Sequence, residues 1–366
     1  MIPFVQLRSQ FESIESEIRA AIDQVLDSSW YILGNQVRGF EEEFAAYLGA
    51  SHCLGVASGT DAITLALKAV GVGIGDEIIT VANTCVPTLS GVSATGATPV
   101  LVDIVPATLT MDPGQLESAI TERTKAIVPV HLYGHPCDMD PILQIAKQHG
   151  LAVVEDCAQA HGTEYRGRRC GTFGTAAAFS FYPSKNLGAY GDGGAVVTNH
   201  EAVAERVRML RNYGEERRYY HTVKGLNSRL DEIQAGILRV KLKHLDSWNN
   251  ARRLRAGEYC NRLRMFPVRL PMEAAWAKHI YHLFVIRAAR RDQLMAHLKD
   301  RGIGTLIHYP VPIHLQQAYA DLGHKPGDFP HAEAACNEVL SLPMYPELTM
   351  SDIECVAEAI ESFKPR

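Results

Sequence analysis

No stretch of the 366-residue sequence approaches the roughly 18–20 consecutive apolar residues that a membrane-spanning helix needs. No extended run of one charge sign occurs, and the net charge is −5, so nothing suggests a nucleic-acid or membrane surface. The first residues, MIPFVQLRSQFESIESEI, lack a basic start and an apolar core, and are not expected to act as a secretory signal. The eight cysteines contain no CxxC pair. That argues against a disulfide framework and for reduced, mostly buried thiols in a cytoplasmic protein. Internal repeats and low-complexity tracts are absent. The glycine clusters GVGIG (71–75) and GDGG (191–194) do not form a GxGxxG between a strand and a helix. A nicotinamide-binding fingerprint is therefore excluded.

What is present is an alternation. Residues 38–48 and 60–70 have helical apolar spacing. Short β-rich runs recur at 77–82, 98–104, 125–132, 151–156, 176–181 and 194–198, with helical patterns at 112–120 and 139–150 between some of them. Both of those helices carry Asp-Pro, read as N-cap and first helical residue. Near-continuous apolar strands alternating with helices predict an α/β fold with a mostly parallel sheet covered on both faces. A long polar helix over 228–253 leads to a different texture: the strand-like YHLFVIRA, the helix RDQLMAHLKDRG and the final helix SDIECVAEAIESF. The pattern predicts two domains, a large one over 1–245 and a smaller α+β one over 246–366.

In open α/β sheets ligands sit beyond the carboxyl ends of the strands. Three stretches are read with that rule. In ASGTDAITLALKA, Ser58-Gly59-Thr60 opens directly into a helix. Its free N–H groups, approached closely over glycine, suit a phosphate, although alone this is an ordinary cap. In LAVVEDCAQAHG the apolar strand runs into Glu155 and Asp156, with Gln159 and His161 beyond. A strand-end acid is often only a cap or a surface charge. Cys157 with His161, and His131 with His135 and Cys137, give no full metal-ligand set, so no metal is expected. In AFSFYPSKNLGAYGDGGAVVTN, Ser180 lies in a strand and Lys185 follows where the chain leaves the sheet. A lone lysine is usually solvated surface. A phosphate cradle, a strand-end acid and a lysine together are what pyridoxal 5′-phosphate (PLP) demands.

With those residues in hand, the sequence resembles the DegT/DnrJ/EryC1/StrS family of sugar aminotransferases, which share the PLP aspartate-aminotransferase-type fold (fold type I). The similarity runs nearly end to end, through SSWYILGNQVRGFEEEFAAYLGA, ASGTDAITLALKAVGVGIGDEIIT, VEDCAQAHGTEYRGRRCGTFG, FSFYPSKNLGAYGDGGAVVTN, GLNSRLDEIQAGIL and HYPVPIHLQQAY. The resemblance implies that Lys185 is the Schiff-base lysine and proton shuttle. It implies that Asp156 pairs with the pyridine nitrogen, leaving Glu155 structural, and that Gln159 lies near the cofactor hydroxyl. Gly59, Thr60 and Ser180 would hold the phosphate. Asn227 would reach the cofactor of a second subunit, making a homodimer with shared sites. His161, Tyr182, His308 and Tyr309 resemble substrate-side positions, each with packing as its alternative.

One position departs from the pattern. Many relatives place an aromatic residue in the NTxxxT segment to stack on the cofactor, and here ANTCVPT aligns Cys85 with it. The implied reaction moves an amino group from L-glutamate to a nucleotide-linked ketosugar for cell-surface polysaccharide or secondary-metabolite biosynthesis. Several motifs look most like members acting on dTDP-3-keto-6-deoxyhexoses. Members acting on 4-keto sugars more often have histidine at the place of Tyr182 and Glu-Gly-Gly at the place of Asp192-Gly193-Gly194. UDP-linked 3-keto sugars stay open. A sugar dehydratase of the same family would have histidine in place of Lys185, and a non-enzymatic sensor on this fold would not need the intact Lys185, Asp156 and Ser180 set.

Overall fold

Side chains alternate along the central strands and feed two separate hydrophobic layers, and this fixes the architecture. The computed structural model describes residues 1–364. Its main sheet has seven strands: β1 (His52–Val56), β2 (Glu77–Val81), β3 (Thr98–Val102), β4 (Thr124–Ile127), β5 (Ala152–Asp156), β6 (Ala176–Ser180) and β7 (Gly194–Thr198). In space they run β1-β7-β6-β5-β4-β2-β3. The pairs β6–β5, β5–β4, β4–β2 and β2–β3 are parallel; β7 is antiparallel to both β1 and β6. Val153, Ala177, Phe179 and Val197 enter one layer, while Val154, Ala176, Ala178 and Val196 enter the other. With a side-chain period of two, a strand buried on both faces must be apolar at every position, which is how these runs read.

The covering helices include α1 (Asn35–Leu48), α2 (Gly59–Ala69), α3 (Val86–Ser93) and α4 (Met139–His149). Two expectations need correcting here. Residues 112–120 form a 3₁₀ turn, Pro113–Gln115, and a single α turn, Leu116–Ala119, with Asp112 capping Gly114 N–H. The N-cap of α4 is Asp138, so Asp140 falls inside the first turn rather than before it. Asp138 is engaged elsewhere, accepting from the Tyr165 hydroxyl at 2.7 Å.

The long helix expected over 228–253 is two helices, α5 (Glu232–Leu242) and α6 (Leu245–Leu263). Their partners differ. Ala235 and Leu238 of α5 pack into the core of the main sheet, whereas Ala256, Tyr259 and Leu263 of α6 join a separate C-terminal core. That second core also takes residues from an antiparallel pair, β8 (Phe284–Arg287) and β9 (Val339–Leu342), and from the helices α7 (Arg291–Asp300) and α8 (Met350–Glu361). A capping box at Thr349 and Asp352 fixes the start of α8.

Candidate active site

The carboxyl ends of β5 and β6 lie side by side, with Asp156 opposite Ala178 in the ladder. Beside them α2 begins just after β1. These ends border a cavity of about 400 Å³ lined by Ser58, Gly59, Thr60, Cys85, Asp156, Gln159, Ser180, Tyr182, Lys185, His308 and Tyr309 among others. These eleven residues, all picked out in the sequence, thus meet in one space, although 250 positions separate Gly59 from Tyr309.

The anion end is built from backbone. Ser58 caps α2 by accepting from Asp61 N–H at 3.1 Å. The first-turn N–H groups of Gly59 and Thr60 have no intrahelical partner and border the cavity. Ser228 braces the turn, accepting from Ala57 N–H at 3.1 Å and donating to Asp61 at 2.6 Å. Two glycines are required by close approach. A Cβ on Gly59 would come within 2.5 Å of Ser180 Cβ, and one on Gly194 within 2.3 Å of the Ser58 carbonyl oxygen. The glycine-rich segment after Lys185 is therefore pressed against the cradle; the buried Lys241 amine also holds its Gly188 carbonyl at 2.6 Å.

Asp156 is buried and held on both oxygens. It accepts from the Thr88 hydroxyl at 2.8 Å and from Ala158 N–H at 3.0 Å. Burial pushes its carboxyl above the usual aspartate range, against the opposing effects of Ala158 N–H, Thr88 and Lys185. Burial likewise pushes the Lys185 amine below the usual lysine value, with the Cys85 thiol and the Asp156 carboxylate opposing. Each group costs free energy to ionise here, so a ligand of complementary charge would relieve both.

Glu155, one residue away, has a different job. Its side chain points to the opposite face and accepts from the N–H groups of Gly171, Phe173 and Gly174 at 2.8, 2.8 and 2.9 Å. Nδ1 of His131 accepts from Cys137 N–H, so its proton sits on Nε2, which donates to Glu155 at 3.0 Å. Burial raises the Glu155 pKa, yet His131 and these backbone donors outweigh it and hold the carboxyl below its ordinary value. Although His131, Glu155 and Cys157 bring ligand-type atoms within 4.8 Å of one another, both imidazole nitrogens are engaged. The group is an anchor for the loop after β5.

On the substrate side, Gln159 Nε2 donates to the Tyr309 hydroxyl at 3.1 Å while its Oε1 accepts from Tyr133 N–H at 2.6 Å. Tyr133 donates to the His308 carbonyl, and His308 Nδ1 meets Ser341 Oγ at 2.9 Å. Tyr182 is 55% exposed at the rim. Cys85 borders the cavity as the residue before α3, its thiol pushed up by burial. Two of the sequence-derived residues do not line the cavity. His161 is fully buried behind it, its ring against Phe179 and Phe181, and desolvation lowers its pKa to about 3. Asn227 is exposed in a segment where it bridges to Asn212.

Two lining or supporting residues, Thr88 and His282, were not singled out in the sequence, and Asp192 was noted only as a marker of the keto position. Thr88, in ANTCVPT, stands at the third position of α3 and so faces Asp156. Asp192 and His282 also line the cavity. His282 belongs to the YHLFVIR run but shows no spacing relation to the other site residues.

A parallel-sheet fold with a lysine, a buried strand-end acid and a backbone anion cradle in one cavity defines an enzyme of the PLP-dependent transferase type. Residues 12–361 match the DegT/DnrJ/EryC1/StrS aminotransferase family, and the chain belongs to it. It is 51% identical over 366 residues to the dTDP-3-amino-3,4,6-trideoxy-alpha-D-glucose transaminase of Streptomyces venezuelae, covering 100% of this chain and 97% of that one. It is 48% identical over 363 residues to the dTDP-3-amino-3,6-dideoxy-alpha-D-galactopyranose transaminase of Aneurinibacillus thermoaerophilus, covering 99% of each. The solved structure of S. venezuelae DesV in complex with a ketimine intermediate superimposes with a TM-score of 0.96 at 51% identity, covering 99% of both chains.

Proposed function

We propose that this aminotransferase uses PLP to move an amino group from L-glutamate to a dTDP-linked 3-keto-6-deoxyhexose, giving the 3-amino sugar. The observation that carries the reading is the meeting of Lys185, the buried Asp156 and the open N–H groups of Gly59 and Thr60 in one cavity. The residues present fit the cofactor: a cradle that a Cβ on Gly59 would fill, a carboxyl that needs a cationic partner, and an amine that burial biases toward its neutral form. When bound, PLP would supply a carbonyl that exchanges amines and an electron sink for the carbanion at the donor Cα.

The chain's own groups then have defined tasks. Gly59, Thr60 and Ser180 would hold the phosphate, Asp156 would keep a proton on the ring nitrogen, and Gln159 and Cys85 would complete the cofactor's wall of the cavity. Lys185 removes and returns the proton at the donor Cα, which requires its neutral form. Tyr182, His308 and Tyr309 face the sugar, and His161 backs the site through Phe179 and Phe181. The keto position is supported by the 3-amino sugars named for the two relatives. The experiment loads the enzyme with PLP, exhausts it with L-glutamate, then adds dTDP-3-keto- and dTDP-4-keto-6-deoxyhexose separately. Return of the original cofactor absorbance with the 3-keto sugar is expected; return with the 4-keto sugar alone would refute the position.

Asn227 belongs, in this reading, to the site of a second copy. Exposed aromatic and aliphatic side chains at Trp30, Tyr31, Tyr213, Tyr219, Tyr220 and Leu226 support a surface covered by that copy. Sedimentation should give twice the 40.3 kDa chain mass. A strictly monomeric active enzyme would remove Asn227 from the site. All eight cysteines are free, which supports a reducing compartment, the cytoplasm.

A further inference from the structure

Behind Lys185 a chain of polar side chains crosses the interior, and its hydrogen-bond directions can be worked out from one end. Asn249 Nδ2 donates to the His161 carbonyl oxygen at 2.8 Å. A carbonyl oxygen only accepts, so the orientation of the Asn249 amide is fixed. Its Oδ1 accepts from Asn186 Nδ2, again at 2.8 Å. Asn186 Oδ1 is then left facing His282 Nδ1 at 2.9 Å. Two acceptors cannot bond, so His282 carries its proton on Nδ1. A neutral imidazole protonated there has its lone pair on Nε2.

The surroundings keep the ring neutral. Burial first, then the positive charges of Lys185, Arg252, His161 and His308, disfavour the His282 cation. Arg252 is itself held over the His282 segment, donating to the carbonyls of Tyr281, His282 and Met344. Among the described residues, Nε2 of His282 has no hydrogen-bond partner, and the ring lines the cavity with Lys185. The result is a neutral acceptor of fixed tautomer in the wall of the cavity that Lys185 also lines.

We propose that His282 is a specificity-determining residue whose Nε2 accepts a hydrogen bond from a donor group, a hydroxyl or an amide N–H, flanking the ketone of the acceptor sugar. This rests on the aminotransferase reading above. The carboxylates that flank the reacting carbon and end the side chain of L-glutamate have no hydrogen to give, and its amino group is the one being transferred, so the lone pair assists chiefly the half-reaction that consumes the ketosugar. Recognition of this kind discriminates strongly, because a substrate without the donor leaves a buried acceptor unpaired.

The test uses the PLP-loaded enzyme and measures the two half-reactions separately. H282F should raise KM for the ketosugar by about 10- to 100-fold while slowing the glutamate half-reaction far less. H282Q, whose carbonyl can stand near the position of Nε2, should recover much of the loss. Wild type should discriminate against a ketosugar analogue deoxygenated beside the ketone, and H282F should not. Nitrogen-15 spectra of histidine-labelled wild type should show an unprotonated, pyridine-like Nε2 for His282, and this readout stands even if H282F fails to fold. A proton on Nε2, an unchanged ketosugar KM, or equal losses in both half-reactions would overturn the proposal. A wild type that ignores glutamate altogether would instead refute the aminotransferase reading.

Discussion

Lys185→Ala should reduce turnover by about 10⁴-fold or more while leaving the fold intact. The amine is the one group at the carboxyl end of β6 able to exchange with an incoming amine and carry its Cα proton, and alanine can do neither. Loss of structure would not account for the effect. Because the folded state lowers the Lys185 pKa, the charged form is penalised on folding. For a depressed lysine the penalty is absent above its unfolded pKa and grows as pH falls below it, so at neutral pH alanine relieves it. The melting temperature of cofactor-free K185A should therefore match or exceed wild type. Measuring single-turnover amine release beside thermal unfolding decides the matter: near-normal turnover sinks the lysine assignment, and a collapsed melting temperature sinks the linkage argument.

Asp156→Asn should cost about 10³-fold in turnover, again without harming the empty protein. The amide keeps the shape of the carboxyl: its oxygen can still accept from Ala158 N–H, while its NH2 must donate to the Thr88 hydroxyl, which reverses that bond. What it removes is the negative charge that would keep a ring nitrogen protonated. The sign of the stability effect follows from burial. Since the folded state raises the Asp156 pKa, ionisation opposes folding, and the cost develops as pH climbs from the unfolded aspartate range through the raised folded value. Cofactor-free D156N should thus be more stable than wild type at pH 7, with the advantage vanishing in acid. Added PLP should stabilise wild type more than the variant. Equal stabilisation of both by PLP would show that the carboxylate does not pair with the cofactor.

Much of this site was legible because its parts sit at predictable points of a simple pattern. Asp156 and Ser180 end apolar runs, Gly59 opens a helix, and Lys185 comes five residues after a strand; in a parallel sheet such points gather at one edge. Less was legible where the local signal was short or the partner remote. Strand β1 (HCLGV) has a glycine in its interior, which weakens its β signal, and the helix Glu201–Leu210 follows a strand with no side-chain cap. The break between α5 and α6 has no proline or glycine to announce it, since the chain turns there to leave one core for another. Glu155 and Asp156 differ in fate because a strand sends neighbours to opposite faces, a consequence that shows only once the donors on each face are known.

By itself, then, the sequence determined the alternation of strands and helices, the anion cradle, and the residue types that PLP chemistry needs, because these follow from local periodicity and from motifs a few residues long. Only the tertiary structure decided that His161 stands behind the cavity rather than in it, that Thr88 holds Asp156, and that His282 lines the cavity with its tautomer fixed. The last depends on Asn186, Asn249 and the His161 carbonyl meeting in one line. The direction of each hydrogen bond in such a line is set by the next, across nearly a hundred positions of chain, and no local pattern encodes that.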